Sequence, residues 1–141
     1  MPESGEPDEE DGTPVLMTLE FRRRDIAWLR QRVTRCAAEA GLRGQRLQAF
    51  VMAVNEIITN AVVHGGGLGR LRLWRAERQL VCEVSDQGPG IVGADPSNRR
   101  PPPEATSGRG LWLTRRLCDA FNLETGRHGT TVRVAAGLDA G

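Results

Sequence analysis

Apolar residues recur at every second position near the start of this chain, at helical spacing through two longer stretches, and then at every second position again. That order restricts the fold more than any other feature of the 141 residues. Val15, Met17, Leu19 and Phe21 alternate with mostly polar neighbours, as in a half-buried strand, and Arg22 to Arg24 end it. Asp25 is placed to cap a helix whose apolar positions are Ile26, Leu29, Val33, Cys36, Ala37 and Ala40, with Gly41 as its stop. A longer helix is predicted from Gln45 to His64, its core stripe running through Leu47, Phe50, Val51, Val54, Ile57, Ile58, Ala61 and Val62, and Gly65 to Gly67 break it. Leu71 and Leu73, then Leu80, Cys82 and Val84, form two strands around the polar turn Ala76 to Gln79.

From Gln87 to Ser107 the chain is rich in proline and glycine and has almost no periodicity; a loop of this length in a small domain is usually functional. Leu111, Thr114, Leu117 and Cys118 restore helical spacing from about Gly110 to Ala120, and Phe121 to Thr125 pairs with Thr130 to Ala135 as a closing hairpin across Gly126 to Gly129. The order is β-α-α-β-β-loop-α-β-β. Its strands are joined as hairpins and not by βαβ crossovers, so the expected class is α/β of the α+β kind: a two-layer sandwich, its mostly antiparallel mixed sheet covered on one face by three helices. Residues 1–13, rich in Pro, Gly, Ser and acid, are expected to be a disordered acidic tail, leaving 14–137 as one domain.

A composition of 39% hydrophobic and 26% charged residues is enough for a single core. Cys36, Cys82 and Cys118 form no CxxC pair and sit within apolar patterns, as reduced core residues of a cytosolic protein do. The first residues are acidic where a secretory leader would be basic, and no apolar run approaches the roughly 18 residues that span a bilayer. A cytoplasmic location without membrane insertion is therefore expected. Every basic residue is arginine; without lysine, neither a Walker A loop nor a kinase-type strand lysine can exist. The net charge of +1 conceals an asymmetry, since Glu3, Glu6, Asp8, Glu9, Glu10 and Asp11 leave 19 basic against 12 acidic residues, +7, in the remainder. Such a surface suits a polyphosphate, nucleic acid or an acidic partner, or is simply solvated.

Four short segments carry polar chemistry. Glu56, Asn60 and His64 stand four residues apart, so they form a stripe drifting by roughly 40° per step, predicted to lie opposite the apolar face. Any exposed helix side looks like this, but a carboxylate one turn from a carboxamide also suits magnesium-phosphate chemistry, one group orienting a proton and one neutral oxygen meeting the metal. Asp86-Gln87-Gly88-Pro89-Gly90-Ile91 follows a strand. It is either a plain turn or a base-recognition site in which Asp86 accepts from an exocyclic amine and Gly88 and Gly90 admit a flat ring. Gly108-Arg109-Gly110-Leu111 opens a helix, where unpaired N–H groups and the dipole favour an anion such as polyphosphate, with Arg109 as added charge or a surface residue. Gly129-Thr130 begins the last strand, where Thr130 either meets a ligand or starts the hairpin. Two histidines are too few for a metal cluster with these cysteines.

Together, Glu56-Ile-Ile-Thr-Asn60-Ala-Val-Val-His64-Gly65, Asp86-Gln-Gly88-Pro-Gly90, Gly108-Arg-Gly110-Leu111 and Gly129-Thr130 resemble, in order, the motifs of the GHKL (Bergerat-fold) ATPases, over the chain from about Val15 to Ala136. The resemblance implies ATP or ADP with Mg2+ as cofactors. Asn60 would ligate magnesium, Asp86 would bind the adenine amino group with Thr130 helping through water, and Gly108 and Gly110 would meet the phosphates. His64, Gly88, Gly90, Ile91, Arg109 and Leu111 would complete the nucleotide site. Glu56 would be the general base, and the loop from Ile91 to Ser107 a mobile lid.

The stretch Asn60-Ala-Val-Val-His64-Gly65 looks most like the anti-sigma serine kinases. That likeness implies a sigma factor held inactive, an antagonist phosphorylated on serine, and a homodimer. The arginine that often flanks the lid-end glycine in that family has no counterpart, since Thr106 and Ser107 precede Gly108, leaving Arg99, Arg100 or Arg109 to replace it. Two other classes fit the same residues: a non-catalytic, nucleotide-responsive partner-binding module, and a detached sensor-kinase ATPase domain. Glu56 favours an enzyme, because a pure binder needs no base there. Direct nucleic-acid binding is disfavoured, because three Trp and three Phe, mostly at core-like spacings, leave few aromatics to interleave with a basic face.

Overall fold

Alternating apolar residues place one strand face, and only one, against the helices. In the computed structural model, which describes residues 15–88, 114–126 and 128–138, the predicted order of elements holds. Strand β1 (Val15–Arg22) leads through a 3-10 turn (Arg23–Asp25) into α1 (Ile26–Ala40) and α2 (Gly44–His64); β2 (Leu68–Ala76) and β3 (Gln79–Asp86) form a hairpin. Residues 114–117 are helical, and β4 (Ala120–Gly126) and β5 (Gly129–Gly137) form a second hairpin. The predicted acidic tail and the lid lie outside the described residues.

The five strands make one sheet in the order β1-β2-β3-β5-β4, every pairing among the described residues antiparallel. Registry sets the helix-facing side chains in rows across the sheet: Met17, Leu73, Cys82, Val134 and Phe121 in one, Leu19, Leu71, Val84, Val132 and Leu123 in the next. These rows pack against Leu29, Val33, Phe50, Val54, Ile57 and Ile58 of the two helices in one core. Each large side chain buried there contributes roughly 1.5–3 kcal/mol. Burial pushes the Cys82 thiol far above its ordinary value and the Cys118 thiol up to about 12, so both are protonated core groups; all three cysteines are free.

Asp25 does not cap α1 with its side chain. Its Oδ2 accepts the Arg22 N–H at 2.8 Å, closing the 3-10 turn ahead of the helix. The last helix also stops earlier than its spacing predicts: helical residues end at 117, and Ala120 already belongs to β4. Asp119 makes the difference. Its N–H donates to the Ala135 carbonyl at 3.0 Å, and its carboxylate accepts the Gly137 N–H at 2.6 Å and an Arg46 guanidinium N–H at 3.1 Å, which draws the chain into pairing with β5. Arg46 also donates to the Gly137 carbonyl, so α2 and the end of β5 are tied at one point.

The outer face of the sheet is not simply solvated. Glu83 accepts from Arg72 Nη2 at 2.5 Å and from Arg133 Nη2 at 2.8 Å, and both guanidiniums lie over the Trp74 ring, at 5.5 and 5.2 Å from its centroid. Trp74 is therefore only 3% exposed although it faces away from the helices. Burial pushes the Glu83 carboxyl up, but the bonds from Arg133 and Arg72 outweigh it and hold the group below its ordinary value.

Candidate functional site

One end of the helix-facing sheet surface breaks the apolar pattern. The row beyond Leu19, Leu71, Val84, Val132 and Leu123 consists of Phe21, Gly69, Asp86, Thr130 and Thr125. Because β5 inserts between β3 and β4, the last residue of β3 and the second of β5 become direct neighbours, so Asp86 and Thr130 face the helices side by side. Thr130 is 4% exposed, and its hydroxyl bonds that of Thr125 at 2.7 Å. On the other flank Phe21 fills the space above Gly69: a β-carbon there would lie 2.9 Å from Phe21 Cε1. Phe21, Gly69 and Thr125 belong to this row without having been legible as site residues. The one sequence signal is a glycine at an inward-facing position of an otherwise leucine-bearing strand.

Asp86 is held from two sides. The N–H of Gly88 donates to its Oδ1 at 2.9 Å, an Asx-type turn that fixes the carboxylate as the chain leaves the strand. Gly65, the residue that ends α2, lies so close that a β-carbon on it would be 2.5 Å from Asp86 Oδ2. The carboxylate is thus wedged against bare helix-end backbone. A second glycine serves the same corner: Gly129 has φ +137° and a β-carbon there would be 3.0 Å from Gln87 Cα.

On α2 the predicted stripe does not lie opposite the apolar face. Glu56 is half-buried and Asn60 is buried, 9% exposed, because the 40° drift per step carries the stripe round toward the core as the helix runs to its C-terminal end. α1 packs on the other flank of α2, where Val51, Met52 and Asn55 border Arg30 and Thr34. Nδ2 of Asn60 is buried with no hydrogen-bond partner among the described residues. A buried amide in that state has a ligand-shaped deficit, since an unmade bond there costs about 1–3 kcal/mol. His64 closes α2, and its side chain lies outside the description. Gly90, Ile91, Gly108, Arg109, Gly110 and Leu111 also lie outside the described residues.

A cavity of ≈ 440 Å³ opens beside Asp86, lined also by Gly65, Gly66, Gly69, Ser85, Gln87, Arg70 and Glu20. Its volume is within the range of small-ligand sites. Another, of ≈ 320 Å³, lies on the outer sheet face around Trp74, Val81 and Arg133, and none of the described motif residues lines it. Among the described residues no cluster of three or more His, Cys, Asp and Glu could hold a metal unaided. A cation at Asn60 would therefore have to arrive with its own oxygen ligands, as a nucleotide-bound magnesium does.

The fold defines a scaffold of the histidine kinase-like ATPase type. Residues 19–136 match the family model of the histidine kinase-like ATPase domain, and the chain belongs to that family. The fold is shared with the crystal structure of the RsbU and RsbW domains of Rv1364c from Mycobacterium tuberculosis, at 17% identity and a TM-score of 0.58 over 86% of this chain and 32% of that one. It is shared also with the histidine kinase domain of a blue-light activated histidine kinase from Erythrobacter litoralis, at 20% identity and a TM-score of 0.51 over 78% of this chain and 65% of that one. The chain thus spans about a third and just under two thirds of those two structures. No curated protein matches it in sequence. Among the described residues, no helix is long and apolar enough to cross a membrane.

Proposed function

We propose that this domain binds Mg-ATP at the Asp86 corner and uses it to phosphorylate a serine hydroxyl of a protein antagonist, while holding a sigma factor inactive in its nucleotide-bound, homodimeric form. The observation that carries the reading is the pairing of a wedged carboxylate, Asp86 against Gly65, with a buried Asn60 on the same helix end whose Nδ2 has no hydrogen-bond partner among the described residues and is free to donate to a phosphate oxygen. The residues fit the group: Asp86 accepts from the adenine amino group, Thr130 stands beside it in the same row, and the Asn60 carboxamide supplies a neutral oxygen to magnesium. Mg-ATP, when bound, supplies the transferable phosphoryl group and neutralises the charge on it. Glu56, one turn before Asn60 and half-buried, takes the proton of the attacking serine hydroxyl. The chain's own contribution is positioning and proton acceptance, which is what phosphoryl transfer asks of a protein. The fold is shared with a chain that carries an RsbW domain and with a histidine kinase domain, so the preference for this reading over a detached sensor-kinase domain rests on the stretch from Asn60 to Gly65.

The test is calorimetric titration of Mg-ATP and Mg-ADP into the purified protein and into Asp86→Asn and Asn60→Ala. Saturable binding that Asp86→Asn abolishes and Asn60→Ala weakens, together with a stronger loss when magnesium is present than when it is chelated in the Asn60 variant, supports the site. A folded protein that binds neither nucleotide overturns it.

A further inference from the structure

Two features of the sequence are not used in the nucleotide reading: the acidic residues before β1 and the arginines around α1. Arg23 and Arg24 in the 3-10 turn and Arg32 and Arg35 in α1 are all exposed, and among the described residues none of the four is in a salt bridge. Trp28, Arg32 and Arg35 are spaced i, i+4 and i+7, so they share one face of the helix. The Arg32 guanidinium sits 5.4 Å from the Trp28 ring centroid, and Trp28 is 51% exposed. Stacking holds a guanidinium in place while leaving its N–H fork open to carboxylates. Two acids stand near this face, Asp25, which accepts the Arg22 N–H, and Glu39, one turn after Arg35, and they offset only part of the charge of the four arginines.

The complementary charge lies in the same chain. Residues 1–14 carry Glu3, Glu6, Asp8, Glu9, Glu10 and Asp11 and no basic side chain. They join the fold at Val15, the first residue of edge strand β1, against which α1 packs. Fourteen residues reach up to roughly 46–50 Å when extended, whereas the fifteen residues of α1 extend only about 22 Å. The segment can therefore run the full length of the arginine face. Tethered so closely, it is present there at an effective concentration on the order of millimolar.

We propose that residues 1–14 lie along the Arg23, Arg24, Arg32 and Arg35 face as an intramolecular acidic strap, which any acidic partner of that face must displace. The strap is independent of the nucleotide reading and its test uses no nucleotide. Amide and side-chain NMR spectra of the full chain are compared with those of a chain in which the six acids are changed to their amides (Glu3→Gln, Asp8→Asn and their equivalents). Resonances elsewhere in the fold report that the variant is folded. The expected result is displacement of the Trp28 indole N–H and the Arg32 and Arg35 side-chain signals between the two proteins at about 0.01 M salt, closing at about 1 M, where the screening length falls from roughly 30 to 3 Å. Poly-glutamate, as an acidic probe, should bind the amide variant about tenfold more tightly, because an occupied face divides apparent affinity by the fraction open. Superimposable spectra on α1 overturn the strap, as do shifts confined to the Asp86 corner or the outer sheet face. Shifts that fade on dilution overturn it too, by assigning the contact to a second copy.

Discussion

The carboxylate of Asp86 rests on the bare Cα of Gly65, across the gap between the end of β3 and the end of α2: a β-carbon on Gly65 would sit 2.5 Å from Asp86 Oδ2. Gly65→Ala should therefore displace the carboxylate from the position in which the Gly88 N–H holds it. Nucleotide affinity is expected to fall at least tenfold, with a loss of about 1–3 kcal/mol of stability from overpacking. Calorimetry and urea unfolding measure the two separately. Unchanged affinity would mean that Asp86 does not touch the nucleotide.

Glu56 is assigned the proton, not the nucleotide. Glu56→Gln keeps shape and removes the base, so Mg-ATP affinity should stay within about twofold while transfer to a serine-bearing acceptor drops by about 10²–10⁴-fold. Single-turnover phosphotransfer reads the rate. A drop smaller than about tenfold would place the base elsewhere.

Thr130→Val removes the hydroxyl that bonds Thr125 and stands beside Asp86. One hydrogen bond lost on each count predicts about 1 kcal/mol of stability and a roughly two- to tenfold weaker nucleotide affinity. An affinity change without a stability change would show that Thr130 serves only the ligand.

Glu83 gives the fold an acid sensitivity distant from the site. Its folded pKa lies below the ordinary value of 4.5, so its contribution is fully present above 4.5 and is lost as pH falls through the lower, folded value. The urea midpoint should decline on acidification below about pH 4.5 and decline less in Glu83→Gln. At neutral pH that variant should cost about 3 kcal/mol, because it leaves Arg72, 8% exposed, without its carboxylate. A loss under about 1 kcal/mol would mark the network as solvent-screened.

Much of this was readable from local pattern. The stripe from Leu47 to Val62 marks α2 because helical spacing is a property of neighbouring residues, and Glu56, Asn60, Asp86 and Thr130 are recognisable through the motif order in which they stand. Element ends were less legible. β2 begins at Leu68, inside a run of glycines that reads as a break, and the last helix gives way at residue 117 because Asp119 finds partners on β5 and α2. The Arg72, Glu83 and Arg133 network was not legible at all, since Glu83 and Arg133 are 50 residues apart and each occupies an ordinary polar position of its strand.

The sequence by itself determined the kinds of element, their order, the single apolar face of each strand, and the residue types offered to a nucleotide, because all of these depend on spacing within a few residues. Only the tertiary structure decided that β5 lies between β3 and β4, that Asn60 is buried on the flank of α2 and not set opposite its core, and that Gly65 leaves room for Asp86. Those outcomes depend on which distant surfaces pack against one another. Packing is decided by the volume and registry of the whole core, which no local periodicity encodes.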